Sequence, residues 1–150
     1  MPKILKSTKA KLMILGDGEL KQQLTDLINE LNLHDSIELI GFVSNPLKYY
    51  YRANIFVLSS TVEGLPNVLI EAMMCGCTPV STDCPTGPRE ILTNKKYGYL
   101  VPMRDESAIA EAVIDAIENP IEKEVLFEAI QPFKEQAVLH AHSLSLGVKL

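Results

Sequence analysis

Apolar positions along this chain fall into two kinds of run. Short blocks, Lys11-Leu12-Met13-Ile14-Leu15, Ile37-Glu38-Leu39-Ile40-Gly41-Phe42, Ile55-Phe56-Val57-Leu58, Thr78-Pro79-Val80-Ser81-Thr82 and Gly98-Tyr99-Leu100-Val101-Pro102, predict buried strands. Between them the spacing is helical. Leu20, Leu24, Leu27, Ile28 and Leu31 follow the turn Gly16-Asp17-Gly18, and a short helix opens at Asn45-Pro46 and runs through Tyr49, Tyr50 and Tyr51. An apolar helix starts at Pro66 and ends at Gly76, and Asp105 is placed to cap a helix carrying Ile109, Ala112, Val113, Ala116 and Ile117. Residues 121–142 predict at least one further helix, interrupted at Pro132. Strands alternating with helices predict an α/β fold, a three-layer Rossmann-like domain with a parallel sheet. In such sheets ligands sit beyond the carboxyl ends of the strands, where Gly16, Gly41, residues 59–67 and residues 83–90 all fall.

The most informative stretch joins a strand to a helix: Ser59-Ser60-Thr61-Val62-Glu63-Gly64-Leu65-Pro66-Asn67-Val68-Leu69-Ile70-Glu71-Ala72-Met73. Proline suits the first helical position, where its missing N–H has no intrahelical partner. With the helix starting at Pro66, the free N–H groups from Asn67 to Leu69 and the positive end of the helix dipole suit an anion. Asn67 and Glu71 stand four apart on one helical face. A carboxylate inside Val-Leu-Ile-Glu-Ala-Met-Met-Cys is costly to bury without donors, so Glu71 calls for hydrogen-bonding partners. A second loop, Asp83-Cys84-Pro85-Thr86-Gly87-Pro88-Arg89-Glu90-Ile91-Leu92, is fixed by its prolines and glycine, and Pro88 can begin a helical turn. Arg89 is a candidate phosphate contact, although an ion pair at the surface, with Glu90 beside it, is the more ordinary role.

Composition narrows the partners. At 150 residues, 47% apolar, the chain is one domain by length and long enough for a real core. The net charge of −5 and the lack of a Lys/Arg run suggest neither a nucleic-acid surface nor an anionic membrane patch, and point to a small ligand. No apolar run approaches the roughly 18 residues of a membrane span, and the start Met1-Pro2-Lys3-Ile4-Leu5-Lys6 lacks a signal-peptide core, so a cytoplasmic location is expected. Cys75, Cys77 and Cys84 lack Cys-x-x-Cys spacing and are read as reduced and structural. His34, His140 and His142 are isolated, so no metal is expected. Three successive tyrosines face different ways on a helix and cannot form one stacking platform. Gly16-x-Gly18-x-x-Lys21 lacks the third glycine of a dinucleotide fingerprint, which disfavours a Rossmann oxidoreductase; a tight turn before a helix is preferred to a phosphate contact at Gly16.

The pair Glu63 and Glu71, joined by Gly-x-Pro-Asn and followed by Ala-Met, resembles the Glu-(seven residues)-Glu signature of retaining, nucleotide-sugar-dependent glycosyltransferases with two Rossmann-like halves, the GT-B fold. Residues 83–92 resemble the same family, most closely bacterial members that build capsule, lipopolysaccharide or protein-linked glycans. The likeness spans residues 11–118, leaving 1–10 as a lead-in and 119–150 as a C-terminal helical tail. It implies the C-terminal, donor-binding half of such an enzyme. Glu71 would accept from the ribose hydroxyls, and backbone N–H groups from Gly64 and Leu65 through Pro66, Asn67 and Val68 would surround the diphosphate and sugar. Glu63 would touch a donor hydroxyl as the catalytic candidate, Gly41 and Phe42 would lie near the base, and Gly16, Arg89 and Glu90 are further candidates. Hexosyl or N-acetylhexosaminyl transfer from a UDP-sugar, without metal or cofactor, to a glycan or lipid-linked acceptor is implied, with the acceptor, at a membrane surface for some members, met by an N-terminal half.

That half and its catalytic His are absent from these 150 residues, as is the strand whose following loop carries an Arg and a Lys on the diphosphate. The missing strand belongs between residues 11–15 and 55–58, so a gap, a substitute strand or direct pairing of the two edges is expected. A fragment inactive by itself follows. A sugar-nucleotide epimerase of similar shape and a non-catalytic nucleotide-binding module stand as alternatives.

Overall fold

The computed structural model of the chain describes residues 1–93 and 95–135. His140, His142 and the end of the helical stretch expected at 121–142 lie outside them. The chain divides into two compact units, Met1–Pro46 and Leu47–Leu150, where length predicts one domain.

In the first unit the lead-in is a helix, α1 (Pro2–Ser7), followed by β1 (Leu12–Leu15), α2 (Lys21–Glu30) and β2 (Ile37–Gly41). The two strands pair in parallel, with an irregularity after Ile14 that sets Leu15 opposite Gly41. The Gly16 N–H then donates to the Gly41 C=O at 2.8 Å. Both glycines have positive φ, +120° and +81°, which their missing Cβ allows. Helix α2 starts at Lys21, one residue after the first leucine of the helical pattern. Residues 18–21 close a turn instead, Lys21 N–H to Gly18 C=O at 3.1 Å, steadied by the Gly18 N–H on Asp17 Oδ1 at 2.9 Å. The leucines keep helical spacing but stay open to solvent: Leu20, Leu24, Leu27 and Leu31 are 38% to 61% exposed.

The second unit carries α3 (Leu47–Tyr50), β3 (Ile55–Leu58), α4 (Asn67–Met74), β4 (Thr78–Thr82), α5 (Pro88–Ile91), β5 (Tyr99–Val101), α6 (Glu106–Glu118), α7 (Lys123–Ile130) and a 3-10 turn at Gln131–Phe133. Its sheet is parallel in the order β3-β4-β5, so β4 is central and buried along its whole length. Pro79 sits in that central strand without cutting the ladder. Thr78 turns its N–H to Asn54 on the β3 side, at 2.9 Å, so Pro79 faces the other side, one residue before pairing with β5 begins at Val80 and Tyr99.

Helix α4 is apolar nearly all round because it is covered on more than one side. Leu69, Ile70 and Met73 join Leu58, Ile91 and Leu92 and, from α7, Leu126, Ala129 and Ile130. Ala72 meets Tyr50, Cys75 and Cys77 in a second cluster, where Tyr50 and Phe56 stack edge to face at 5.4 Å. Tyr50 is buried and Tyr51 is 72% exposed, as three successive helical positions require. Residues 121–133 thus pack into the core, where a C-terminal helical tail is expected from 119 on. Asp105 caps α6 through the Ala108 N–H, at 2.8 Å. The cysteines are buried thiols, and Cys77 donates to the Tyr50 C=O at 3.2 Å.

The architecture is α/β and Rossmann-like, with parallel strands throughout. The strands nevertheless form two sheets: β1 pairs with β2, β3 with β4, and neither a substitute strand nor direct pairing of β1 with β3 is present among the described residues.

Candidate functional site

The second unit builds a strand, loop and helix start in that order. β3 delivers the chain into residues 59–66, and α4 begins at Asn67, with Pro66 as N-cap. This corrects the expected start at Pro66. The Pro66 C=O accepts from the Leu69 N–H at 2.9 Å and more weakly from that of Ile70 at 3.4 Å, so Leu69 is not among the open donors. The Asn67 and Val68 N–H groups find no backbone acceptor among the described residues, and stand at the positive end of an eight-residue helix. The Asn67 Oδ1 atom is buried with no hydrogen-bond partner among the described residues.

One turn further, Glu71 is 1% exposed, a carboxylate inside the core layer. Its neighbours register it. Burial first, then the Glu71 carboxylate, raises the Tyr50 hydroxyl well above its ordinary 10. Burial and Glu71 also raise the Cys75 thiol, against a hydrogen bond to Tyr51, while burial and then Cys75 push Cys77 up to about 12. These thiols are inert at neutral pH, as structural cysteines are.

The second loop packs on the first. Thr86 donates its hydroxyl to the Glu63 C=O at 2.5 Å, and the Gly87 Cα lies against Gly64 and Pro66. Thr82, at the end of β4, donates to the Leu58 C=O at 3.3 Å and to the Ser60 C=O. Glu90 turns back to accept from the Gly87 N–H at 3.3 Å, capping α5. Arg89 is a surface ion pair, but with Asp83 instead of its neighbour Glu90. Its Nε and Nη2 meet the two Asp83 oxygens at 2.8 and 2.6 Å, since adjacent helical residues splay apart while the loop carries Asp83 back alongside. That fork holds the Asp83 carboxyl below its ordinary 3.8.

The structure thus brings Glu63, Gly64 and Pro66 together with Thr86 and Gly87, and sets Asn67, Val68 and Glu71 on the first turn and a half of α4. Gly16, Gly41 and Phe42 belong to the other unit. There the N–H groups of Gly16 and Gly18 are both already donated, to Gly41 and Asp17, which favours the tight-turn role. Phe42 is 80% exposed. The sequence marks Gly87 only as a residue that fixes its loop, and it singles out neither Thr82 nor Thr86 for a contact with residues 58–64. The available signal was a glycine between prolines, which demands an unusual backbone conformation; the carbonyls that the threonines meet are set by tertiary packing. Among the described residues no group of three His, Cys, Asp or Glu could hold a metal ion, and no helix is long and apolar enough to cross a membrane.

Known proteins resemble this chain in sequence and in fold. The chain is 55% identical over 87 residues to an uncharacterized glycosyltransferase of Methanocaldococcus jannaschii, covering 58% of this chain and 21% of that protein. It is 40% identical over 112 residues to N-acetylgalactosamine-N,N'-diacetylbacillosaminyl-diphospho-undecaprenol 4-alpha-N-acetylgalactosaminyltransferase of Campylobacter jejuni, covering 75% of this chain and 31% of that protein. The chain therefore spans less than a third of the length of either relative. In fold it is similar to S. aureus TarM, solved in complex with Fondaparinux, alpha-GlcNAc-glycerol and UDP, with a TM-score of 0.81 and 24% identity over 95% of this chain and 30% of that one. The sequence model of the glycosyl transferases group 1 family matches residues 1–131. With a buried glutamate behind an open helix start, parallel strands feeding it and a family match over most of its length, the chain belongs to the glycosyl transferases group 1 family.

Proposed function

We propose that this chain is the donor-binding half of a retaining glycosyltransferase that moves a sugar from a UDP-sugar to a glycan or lipid-linked acceptor. The observation that carries this is the burial of Glu71, 1% exposed, one turn along α4 from Asn67 and Val68, whose N–H groups have no backbone acceptor among the described residues. A helix start of this kind suits a diphosphate, and a carboxylate behind it suits the paired hydroxyls of a ribose. In this reading Glu71 accepts from the ribose, the N–H groups of residues 64–68 hold the diphosphate and sugar, and Glu63 meets a donor hydroxyl. Developing negative charge on the leaving diphosphate is stabilised by the helix start, and no metal enters that step. UDP is the nucleotide of choice because TarM, similar in fold, was solved with it. A glycan or lipid-linked acceptor fits the Campylobacter relative, whose name gives a diphospho-undecaprenol acceptor. Family membership weighs against the epimerase alternative.

The test is calorimetric titration of the purified chain with UDP and UDP-sugars, alongside Glu71→Ala. Wild type is expected to bind, and Glu71→Ala to bind at least about tenfold more weakly, since each charge-assisted hydrogen bond is worth roughly 1.5–3 kcal/mol. Equal binding by the variant would sink the site, and binding without transfer in a full two-half enzyme would favour a non-catalytic module.

A further inference from the structure

Two successive peptide groups in the loop before α4 are turned the same way by the loop that packs on them. The Glu63 C=O accepts from the Thr86 hydroxyl at 2.5 Å. The Gly64 C=O lies against Gly87, so close that a Cβ on residue 87 would stand 1.9 Å from the Gly64 oxygen and 2.7 Å from Pro66 Cδ. Gly87 also has φ +86°, so neither the space nor the backbone admits another residue. In a planar trans peptide the N–H points opposite to the C=O. The N–H groups of Gly64 and Leu65, which share those two peptides, therefore both point away from residues 86–87. Neither has a backbone acceptor among the described residues. Successive N–H groups presented on one side of a chain form a concavity that holds an anion.

The start of the same loop is tied as well, by the buried Thr82 hydroxyl on the Leu58 and Ser60 carbonyls. The end is tied by the Pro66 C=O, which takes the first turn of α4. In the middle, the Leu65 side chain packs on the core cluster, while the carbonyls of Glu63 and Gly64 are met from the side by Thr86 and Gly87. The two peptide planes themselves are met by a hydroxyl on an exposed loop residue and by a glycine contact.

We infer that Thr86 and Gly87 are positioning residues, a latch that turns the Gly64 and Leu65 N–H groups toward the terminal phosphate of a nucleoside diphosphate. This rests on the donor-binding role proposed above and adds what aims the donor loop. Neither residue touches the ligand. Thr86 acts through the Glu63 carbonyl and Gly87 through the Gly64 carbonyl, each by fixing a peptide plane.

Thr86 is exposed, so Thr86→Val changes the latch with little effect on packing. Two measurements on the full chain test it. In the ligand-free protein, backbone amide order parameters of Gly64 and Leu65 are expected to fall from about 0.85 toward about 0.6 in Thr86→Val and to recover in Thr86→Ser, which keeps the donor. In calorimetry, Thr86→Val is expected to weaken UDP about fivefold, the worth of one hydrogen bond, while UMP, which lacks the terminal phosphate, stays within about twofold. Unchanged order parameters overturn the latch whether or not any nucleotide binds. Equal weakening of UDP and UMP overturns it too, since that is what a merely structural role produces. A wild-type chain that binds neither nucleotide defeats the donor-binding proposal and the phosphate target with it, while the order parameters still decide whether residues 86 and 87 hold the loop.

Discussion

Asp83 and Arg89 show what a single residue's neighbours decide. Sequence adjacency offered Glu90 as the partner of Arg89, but consecutive helical side chains diverge, and the loop returns Asp83 to the guanidinium at 2.6 Å. The Asp83 carboxyl is held below 3.8 by the hydrogen bonds from Arg89. Because its folded value lies below its unfolded one, ionised Asp83 contributes stability at pH above about 4, and that contribution disappears as the pH falls through the depressed value. An NMR titration of the Asp83 carboxyl is expected to give a midpoint below 3.8 in wild type. In Arg89→Leu the midpoint should move up toward the ordinary value, and an unmoved midpoint would remove Arg89 as the cause. Glu71 is the opposite case. Its apolar context, Val-Leu-Ile-Glu-Ala-Met-Met, already marked it as a buried carboxylate, because neighbours in sequence on an apolar helix share its burial.

At the scale of elements, all five strands were legible to within two residues at their ends, since branched apolar blocks bounded by glycine and proline leave few alternatives. Helix starts were less so. α2 and α4 both begin one residue later than the pattern suggests, because a local turn at Gly18 and the carbonyl of Pro66 claim the first donors. The role of α7 was not legible at all. Its spacing predicts a helix, but only packing puts Leu126, Ala129 and Ile130 beside Leu69, Ile70 and Met73 of α4. Leu126 is fully buried there, so Leu126→Ala is expected to cost about 2–5 kcal/mol, read as a lower midpoint in urea unfolding. A cost under about 1 kcal/mol would mean that α7 does not support α4. Since α4 carries Asn67, Val68 and Glu71, α7 supports the helix on which the candidate site is built.

At the scale of the molecule, the chain spans 21% and 31% of the lengths of the two relatives described above, while the family match covers residues 1–131. Its strands stay in two sheets, where relatives of this architecture were expected to supply one more strand. We expect the 150 residues alone to bind a nucleotide-sugar without transferring it, because the resemblance carried by Glu63 to Glu71 and residues 83–92 is to a donor-binding half, with the acceptor met by another. Steady sugar transfer by the purified chain with no second polypeptide, measured by release of UDP in the presence of acceptor, would contradict this.

The sequence by itself determined the fold class, the family and the short stretch from Glu63 to Glu71. Each depends on local periodicity, or on residue types at fixed spacing along one chain. Tertiary structure decided which peptides of that stretch are turned and by what. Thr86 and Gly87 lie more than twenty residues downstream of the carbonyls they meet, and Leu126 more than fifty beyond the helix it covers. Contacts of that separation leave no periodic trace, because they are fixed by how the elements pack and not by the order of neighbouring residues.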